Sequence, residues 1–277
     1  MTEHSLYSDL QVAARVLFRD SLRVKQLNYI LILGIFWIST CINTVAHASF
    51  YDRRTPSGML LFDSLLEAGV PRAPLDLIFR MFDYNVGRIP NVDFAVVVDY
   101  GLPSIEKRLY LMDLNQGTVS RYYVAHGVRS GVVETRNFSN LQDSWKSSLG
   151  FYYAKGSYNS PKNGLSLYLD GIDRSNSNAK FRQIVLHGAK YVSDDFILKN
   201  GRLGWSEGCF AVSLEAAPTL ISILQTGSIL LSYHSQLMSS ARQYPWEQSL
   251  LGEEIIPRGV NRNRTPGEGG GADYMKF

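Results

Sequence analysis

The strongest constraint on the fold is a series of short apolar runs that begins near residue 92 and ends near residue 233. The runs are rich in β-branched and aromatic residues, and glycine, asparagine or aspartate turns separate them. They cover residues 94–98, 109–112, 119–125, 163–171, 183–187 and 228–233. A helical pattern over 214–225, with Pro218 in or near its first turn, precedes the last run, and Asn200-Gly201 indicates a tight turn. The pattern predicts a mostly β domain with accessory helices over residues 92–235.

The regions on either side of this domain differ from it in composition. Residues 49–91 have apolar positions at helical spacing, which predicts two short helices separated by Gly69-Val70-Pro71. Residues 236–277 lose the apolar pattern and contain Gly269-Gly270-Gly271, which predicts a partly disordered C-terminal tail.

Residues 1–48 have the pattern of an export signal. Basic residues precede an apolar run over about 29–45, and Ala46-His47-Ala48 follows it. We therefore expect a signal peptide and a protein of the periplasm or cell envelope. Because the run is only slightly shorter than the ~20 residues that span a bilayer, an uncleaved membrane anchor is the alternative.

The charge of the chain argues against nucleic acid as a partner. The formal net charge is only +3, and 19% of the residues are charged. Such a balance gives no strong basic surface for nucleic acid or for an anionic membrane. The oligomeric state is not indicated by the sequence.

Cys209 is the one cysteine that follows the predicted signal peptide. It cannot form an intramolecular disulfide, and a structural zinc site needs more cysteine or histidine ligands. A buried, inert thiol is the common alternative for a free cysteine. However, the flanking Gly204-Trp205-Ser206-Glu207-Gly208 is unlike a buried strand, which favours a nucleophile.

A nucleophilic cysteine needs a base or a lowered pKa, because the thiolate is the reactive form. Of the three histidines after the predicted signal peptide, His126 and His187 each end an apolar run and precede glycine, whereas His234 does not. We choose His187 as the base, and His126 is treated as a local hydrogen-bonding residue unless it contacts substrate. Gly208 and Cys209 amides are candidates for an oxyanion site, and Ser206 for orienting the histidine or a substrate group.

These residues also carry a resemblance to a known family. The segments Ile184-Val185-Leu186-His187-Gly188 and Ser206-Glu207-Gly208-Cys209 resemble the murein L,D-transpeptidase catalytic domain family, which is related to the YkuD-type L,D-transpeptidases. Weaker similarities, in the same order as in the family, include Val124-Ala125-His126-Gly127 and residues 165–171. The similarity spans about residues 93–233.

The chain departs from the family pattern close to the cysteine. Glu207 stands where the family usually has tryptophan, and Phe210 where it usually has proline. The wider group also tends to place an arginine shortly after the cysteine, whereas none follows here before Arg242. A carboxylate beside the thiol raises the thiol pKa.

The resemblance implies a YkuD-like catalytic domain that acts on peptidoglycan stem peptides without a metal or organic cofactor. Cys209 would attack the carbonyl of the third stem residue, expel the terminal D-alanine and form a thioester, with His187 transferring the proton. An amine of a second stem would then give a 3-3 crosslink. Candidate substrate contacts are Gly188, Tyr191, Arg202, Trp205 and His126.

Three alternatives remain from the sequence. The same residues would serve an L,D-carboxypeptidase or an endopeptidase that cleaves existing crosslinks. His126, His187 and Cys209 would together suffice for a catalytic zinc site, although the usual metal-ligand spacings are absent. A non-catalytic wall-binding protein is the third alternative, with Glu207 as the sign of a site that has lost its activity.

Overall fold

The computed structural model describes residues 48–236. The predicted signal peptide or anchor lies outside the described residues, except for Ala48, and so does the predicted tail, except for Gln236. Among the helices of the described part, none combines the length and the apolar character that crossing a membrane requires.

The described chain consists of four α-helices and eight β-strands. After a short 3-10 turn at Phe50–Asp52, the elements are α1 (Leu61–Glu67), α2 (Arg72–Tyr84), β1 (Phe94–Asp99), β2 (Leu109–Asp113), β3 (Thr118–Tyr122), β4 (Gly150–Ser160), β5 (Gly164–Gly171), β6 (Val185–Gly188), α3 (Asp194–Asn200), β7 (Phe210–Val212), α4 (Ala216–Leu224) and β8 (Ile229–Tyr233).

The strands form one mixed sheet in the order β3-β2-β1-β8-β4-β5-β6-β7. The β1–β8 and β6–β7 pairs are parallel, and the other neighbouring pairs are antiparallel. Beyond β3, single bridges join Ala125 to Ala211 and Gly127 to Ser206. These bridges bring the two edges of the sheet together, so that the sheet is nearly closed into a barrel. The fold is therefore mostly β with accessory helices, as predicted.

The centre of the sheet is apolar on both faces. Every residue from Ala95 to Asp99 in β1 is buried, as are Ile229–Ser232 in β8 and Gly150–Ala154 in β4. Strands with such continuous apolar runs need cover on both sides. Helix α4 packs on β1, β4, β5 and β6, whereas α2 packs on β1 and β8.

The helical segment before the sheet shares the core of the β domain. Its Phe50 ring stacks on Phe82 with centroids 4.4 Å apart and meets Phe79 edge-on at 5.0 Å. Leu75 and Val97, which are fully buried, belong to the same continuous core. This packing explains why α1 and α2 form on either side of the predicted break at 69–71. The predicted boundary at residue 91 remains a prediction.

Two elements differ from the sequence analysis. Strand β4 was not predicted, because its alternation fails where the register to β5 shifts between Ala154 and Ser157 and Gly156 adopts a φ of 114°. Asn200-Gly201 does not form a hairpin turn: Gly201, at φ 68°, caps the unpredicted helix α3.

Candidate active site

The candidate site lies on the parallel strands β6 and β7. The register pairs Leu186 with Phe210 and His187 with Ala211. Cys209 immediately precedes β7, and continuing the alternation of side chains back from Ala211 would direct its side chain to the face that carries His187. The 21 residues between the two in sequence include α3 and the Gly204–Gly208 turn. The fold therefore brings the segment of the predicted nucleophile beside the strand of the predicted base.

The His187 ring has a defined tautomer. Its Nδ1 lies 3.0 Å from the Gly188 carbonyl oxygen, which can only accept, so Nδ1 carries the hydrogen and Nε2 the lone pair. Burial lowers the pKa of His187, a positive charge on Lys162 lowers it further, and the Gly188 hydrogen bond opposes both. The ring is therefore neutral near pH 7, with Nε2 as its basic nitrogen.

The Cys209 side chain is half-buried, and several groups act on its charge. Its Sγ donates a hydrogen bond to the Gln183 carbonyl oxygen at 3.5 Å. Burial raises the pKa of the Cys209 thiol, and the negative charge of Glu207 raises it further. A backbone hydrogen bond from Val185 and the positive charges of Lys162 and Arg182 lower it. Since burial is the largest effect, a nearby base is needed to form the thiolate.

The turn before the cysteine is held by Ser206. Its hydroxyl donates to the Cys209 carbonyl oxygen at 2.7 Å and accepts from the Gly208 N–H at 3.1 Å. Both contacts lie within the turn, so the Ser206 side chain shapes the turn and does not hydrogen-bond the histidine. The Gly208 N–H is likewise engaged. Gly208 itself adopts a φ of 122°, and a Cβ there would lie 2.9 Å from the Lys146 carbonyl oxygen.

Of three further candidate substrate contacts, Tyr191 interacts with the thiol, and Arg202 and Trp205 stack on each other. Tyr191 is half-buried, and burial together with Cys209 and Glu207 raises its pKa to about 12. Its side chain packs against Gly204, where a Cβ would lie 2.4 Å from the Tyr191 Cβ. The Arg202 guanidinium lies 3.3 Å from the centre of the Trp205 ring, whose Nε1 donates to the Val132 carbonyl oxygen at 3.1 Å.

The other two candidate contacts do not face a cleft. A Cβ on Gly188 would lie 3.1 Å from the Ala217 Cβ, so this glycine allows α4 to pack on β6. His126 is only 1% exposed. Its Nε2 donates to the Gly131 carbonyl oxygen at 3.1 Å, and its Nδ1 accepts from Arg108 at 2.9 Å. A buried ring with both nitrogens engaged offers nothing to a substrate, so His126 is not kept as a substrate contact.

The structure adds residues that the sequence analysis did not single out. The Tyr158 and Tyr168 rings stack with centroids 4.0 Å apart, and Tyr168 pairs with Val185 on the face that carries His187. In the turn between β4 and β5, the Lys162 Nζ lies 2.9 Å from a Glu207 carboxylate oxygen. No motif marks these residues, because they approach the cysteine only through the pairing of β4, β5 and β6.

The geometry gives no support for the zinc alternative. Within residues 48–236, no cluster of three or more histidine, cysteine, aspartate or glutamate side chains is placed to hold a metal ion. Both nitrogens of His126, one of the three ligands considered, are engaged in the protein.

The fold and the site define a nearly closed mixed β-sheet with a histidine on β6 and a cysteine immediately before β7. A sequence model described as the L,D-transpeptidase catalytic domain matches residues 75–233, which is more than half of the chain. The chain therefore belongs to the L,D-transpeptidase catalytic domain family, as the sequence resemblance indicated.

Solved structures give more distant similarities. An L,D-transpeptidase from Mycobacterium smegmatis is 11% identical, with 51% of this chain and 59% of that chain covered and a TM-score of 0.32. The helical cell shape determining protein Pgp2 from Campylobacter jejuni, solved as a variant, is 14% identical, with 57% and 54% covered and a TM-score of 0.33. An L,D-transpeptidase from Stackebrandtia nassauensis is 13% identical, with 63% and 76% covered and a TM-score of 0.32. The chain thus spans little more than half the length of the first two. No curated protein matches the chain.

Proposed function

We propose that the protein is a peptidoglycan L,D-transpeptidase that uses Cys209 as its nucleophile and His187 as its base. The observation that carries the proposal is that Cys209 immediately precedes β7, the strand paired with the His187 strand, together with the hydrogen bond from His187 Nδ1 to Gly188 that leaves Nε2 to take a proton. Membership of the family supports the class of reaction. The expected substrate is a tetrapeptide stem.

In the first half of the reaction, His187 Nε2 takes the proton from the Cys209 Sγ, and the thiolate attacks the carbonyl carbon of the third stem residue. The carbon–nitrogen bond to the terminal D-alanine then breaks, and the imidazolium gives its proton to the leaving amine. The product is a thioester on Cys209. We propose the Cys209 N–H as the donor to the oxyanion, because the Gly208 N–H is already bound to Ser206.

In the second half, an amine of another stem attacks the thioester carbonyl and gives its proton to His187. The carbon–sulfur bond breaks, which restores the thiol and forms a 3-3 crosslink. Attack by water in place of the amine gives a tripeptide, which is the L,D-carboxypeptidase alternative. We propose that Tyr191, Arg202 and Trp205, together with Tyr168 opposite, form the walls that hold the stems.

The location and the domain division are part of the same proposal. Peptidoglycan lies outside the cytoplasmic membrane, so the predicted signal peptide or anchor at 1–48 would bring the catalytic residues to their substrate. Residues 92–235 would form the catalytic domain, and the helical segment at 49–91 would stabilise it through the shared core.

The test is incubation of the purified protein with a disaccharide tetrapeptide, with the products resolved by mass spectrometry. The parent protein should release D-alanine and form a crosslinked dimer. Cys209→Ala should form neither, and His187→Gln should lose activity by two or more orders of magnitude, as expected for loss of an acid–base group. Release of D-alanine without a dimer would instead indicate the carboxypeptidase.

A second measurement separates the enzyme from a wall-binding protein. A carbapenem, to which enzymes of this type are generally sensitive, should acylate Cys209 and add its mass to the peptide that contains this residue. The Cys209→Ala protein is the matched control and should gain no mass. Absence of both the adduct and turnover in a folded protein would favour the wall-binding alternative.

A further inference from the structure

Arg182 lies beside the nucleophile, although it precedes it by 27 residues. It sits in the turn before β6, where its backbone N–H donates to the Asn178 carbonyl oxygen at 2.8 Å. A Cβ on Gly208 would lie 3.0 Å from the Arg182 Nη2, so the guanidinium packs against the residue that precedes Cys209. The side chain is half-buried, and it reaches the candidate site at the Ser206–Cys209 turn.

The hydrogen-bond partners of this guanidinium carry no negative charge. Nη1 donates to the Ser139 carbonyl oxygen at 2.8 Å and to the Ser148 Oγ at 3.0 Å, and Nη2 donates to the Lys146 carbonyl oxygen. Within the described residues, no ion pair joins Arg182 to a carboxylate. Partial burial of a guanidinium costs desolvation free energy when no carboxylate pairs with it. An anion that forms at the site would offset this cost.

The groups that interact with the charge of Arg182 are Tyr152 and Cys209, and burial lowers the pKa of Arg182 itself. Burial also raises the pKa of the Tyr152 phenol far above its ordinary value, so this hydroxyl stays neutral. The thiolate of Cys209 is therefore the anion that can balance the guanidinium.

The other charged groups around the thiol do not replace Arg182 in this role. Glu207 and Lys162 act on the Cys209 pKa in opposite directions, pair with each other and are largely exposed, at 63% and 71% of their side chains. Solvent screens such a pair. Burial keeps His187 neutral near pH 7, and the raised pKa values of Tyr158 and Tyr191 keep both phenols neutral.

We infer that Arg182 is a positioning residue that supplies the permanent positive counter-charge to the Cys209 thiolate. It acts through the thiolate and through the carbonyl oxygens that fix the loop at 139–148, and it does not take part in proton transfer. The inference rests on the proposed role of Cys209 as the nucleophile.

The test is the pH dependence of the alkylation of Cys209 by iodoacetamide, followed by mass spectrometry of the peptide that contains it. An opposite charge at close range typically shifts a pKa by one unit or more. Arg182→Gln keeps hydrogen-bond donors but removes the charge, so the midpoint should rise, by a few tenths of a unit up to about one unit. Arg182→Lys keeps the charge and should stay much closer to the parent protein. Arg129→Gln, which removes an arginine stacked on Trp145, is the matched control and should leave the midpoint unchanged.

A second variant tests the same charge without removing the arginine. Ser148→Ala removes one acceptor of the Arg182 Nη1 but keeps the guanidinium charge, so the midpoint should stay with that of the parent protein. A role in folding alone predicts lower stability for Arg182→Gln with an unchanged midpoint. An unchanged midpoint in Arg182→Gln, or a midpoint that Arg182→Lys raises as far as Arg182→Gln does, would overturn the inference. Because alkylation needs no peptidoglycan, this result is independent of whether the protein is a transpeptidase.

Discussion

Replacement of Arg108 tests how the nearly closed sheet is held together. This side chain is fully buried. Its Nε and Nη2 donate to the Val124 carbonyl oxygen at 3.1 and 3.0 Å, and its Nη1 donates to the Leu102 carbonyl oxygen at 2.8 Å. Further donations reach the His126 Nδ1 at 2.9 Å and the Thr135 Oγ1 at 3.0 Å. The guanidinium thus links the start of β2 to residues 124–126, which bridge to β7 and close the sheet.

The magnitude follows from the acceptors that Arg108→Met would leave without a donor. Thr135 and His126 lie 3.1 Å apart and can bond each other, so the carbonyl groups of Val124 and Leu102 are the ones left unsatisfied. Each buried orphan costs about 1–3 kcal/mol. Part of this is offset, because the buried charge, whose cost lowers the pKa of Arg108 to about 10, is also removed. We expect the free energy of unfolding to fall by about 2–4 kcal/mol, or roughly 5–15 °C in Tm.

The assay is urea and thermal unfolding of the purified protein, followed by circular dichroism. Arg121→Met is the matched control, because this exposed arginine donates only in an exposed hydrogen bond to the Lys107 carbonyl oxygen and a part-buried one to the Tyr110 hydroxyl. Its effect should stay within about 0.5 kcal/mol, as is usual for surface substitutions. If Arg108→Met were as stable as Arg121→Met, the argument from orphaned carbonyl groups would be refuted.

Three further predictions concern buried or strained positions. Burial raises the pKa of Asp173 to about 7, so the folded protein keeps a proton that the unfolded chain loses near pH 4. The free energy of unfolding should therefore fall by about 2–4 kcal/mol between pH 4 and pH 7, as measured by urea titrations. Asp173→Asn should flatten this pH dependence. Gly208→Ala should lower D-alanine release at least tenfold, because Gly208 has a φ of 122° and the new Cβ would lie 2.9 Å from a carbonyl oxygen. Gly201→Ala is the control: Gly201 has a φ of 68° in open space, so this variant should lower the free energy of unfolding without loss of turnover. His126→Ala should lower stability by about 2–4 kcal/mol but leave KM unchanged for the folded fraction, since the ring is buried; a raised KM would return it to the substrate site.

The sequence predicted most strands, because their signals are local, whereas the Cys209–His187 pair stays a prediction. Continuous apolar runs mark β1 and β8, which lie in the middle of the sheet, and glycines mark the turn before the cysteine. The strand-end signal alone does not distinguish the histidines, since His126 and His187 both end an apolar run before a glycine, and His187 is chosen for its pairing with the Cys209 segment. The tertiary fold separates them: Arg108 and Gly131 enclose the first ring, whereas the second leaves Nε2 without a partner among the described residues.

The two departures beside Cys209 have different physical meanings. Phe210 is 1% exposed and packs edge-on against Tyr152, with centroids 5.2 Å apart, so replacing the usual proline there changes the core and not the reacting face. Glu207 does face the site, but its carboxylate lies 2.9 Å from the Lys162 Nζ. Since Lys162 lowers the thiol pKa that Glu207 raises, the pair adds much less to that pKa than a lone carboxylate would. Lys162→Met should therefore raise the midpoint of Cys209 alkylation, modestly because both side chains are largely exposed, whereas Glu207→Gln/Lys162→Met should leave it close to that of the parent protein.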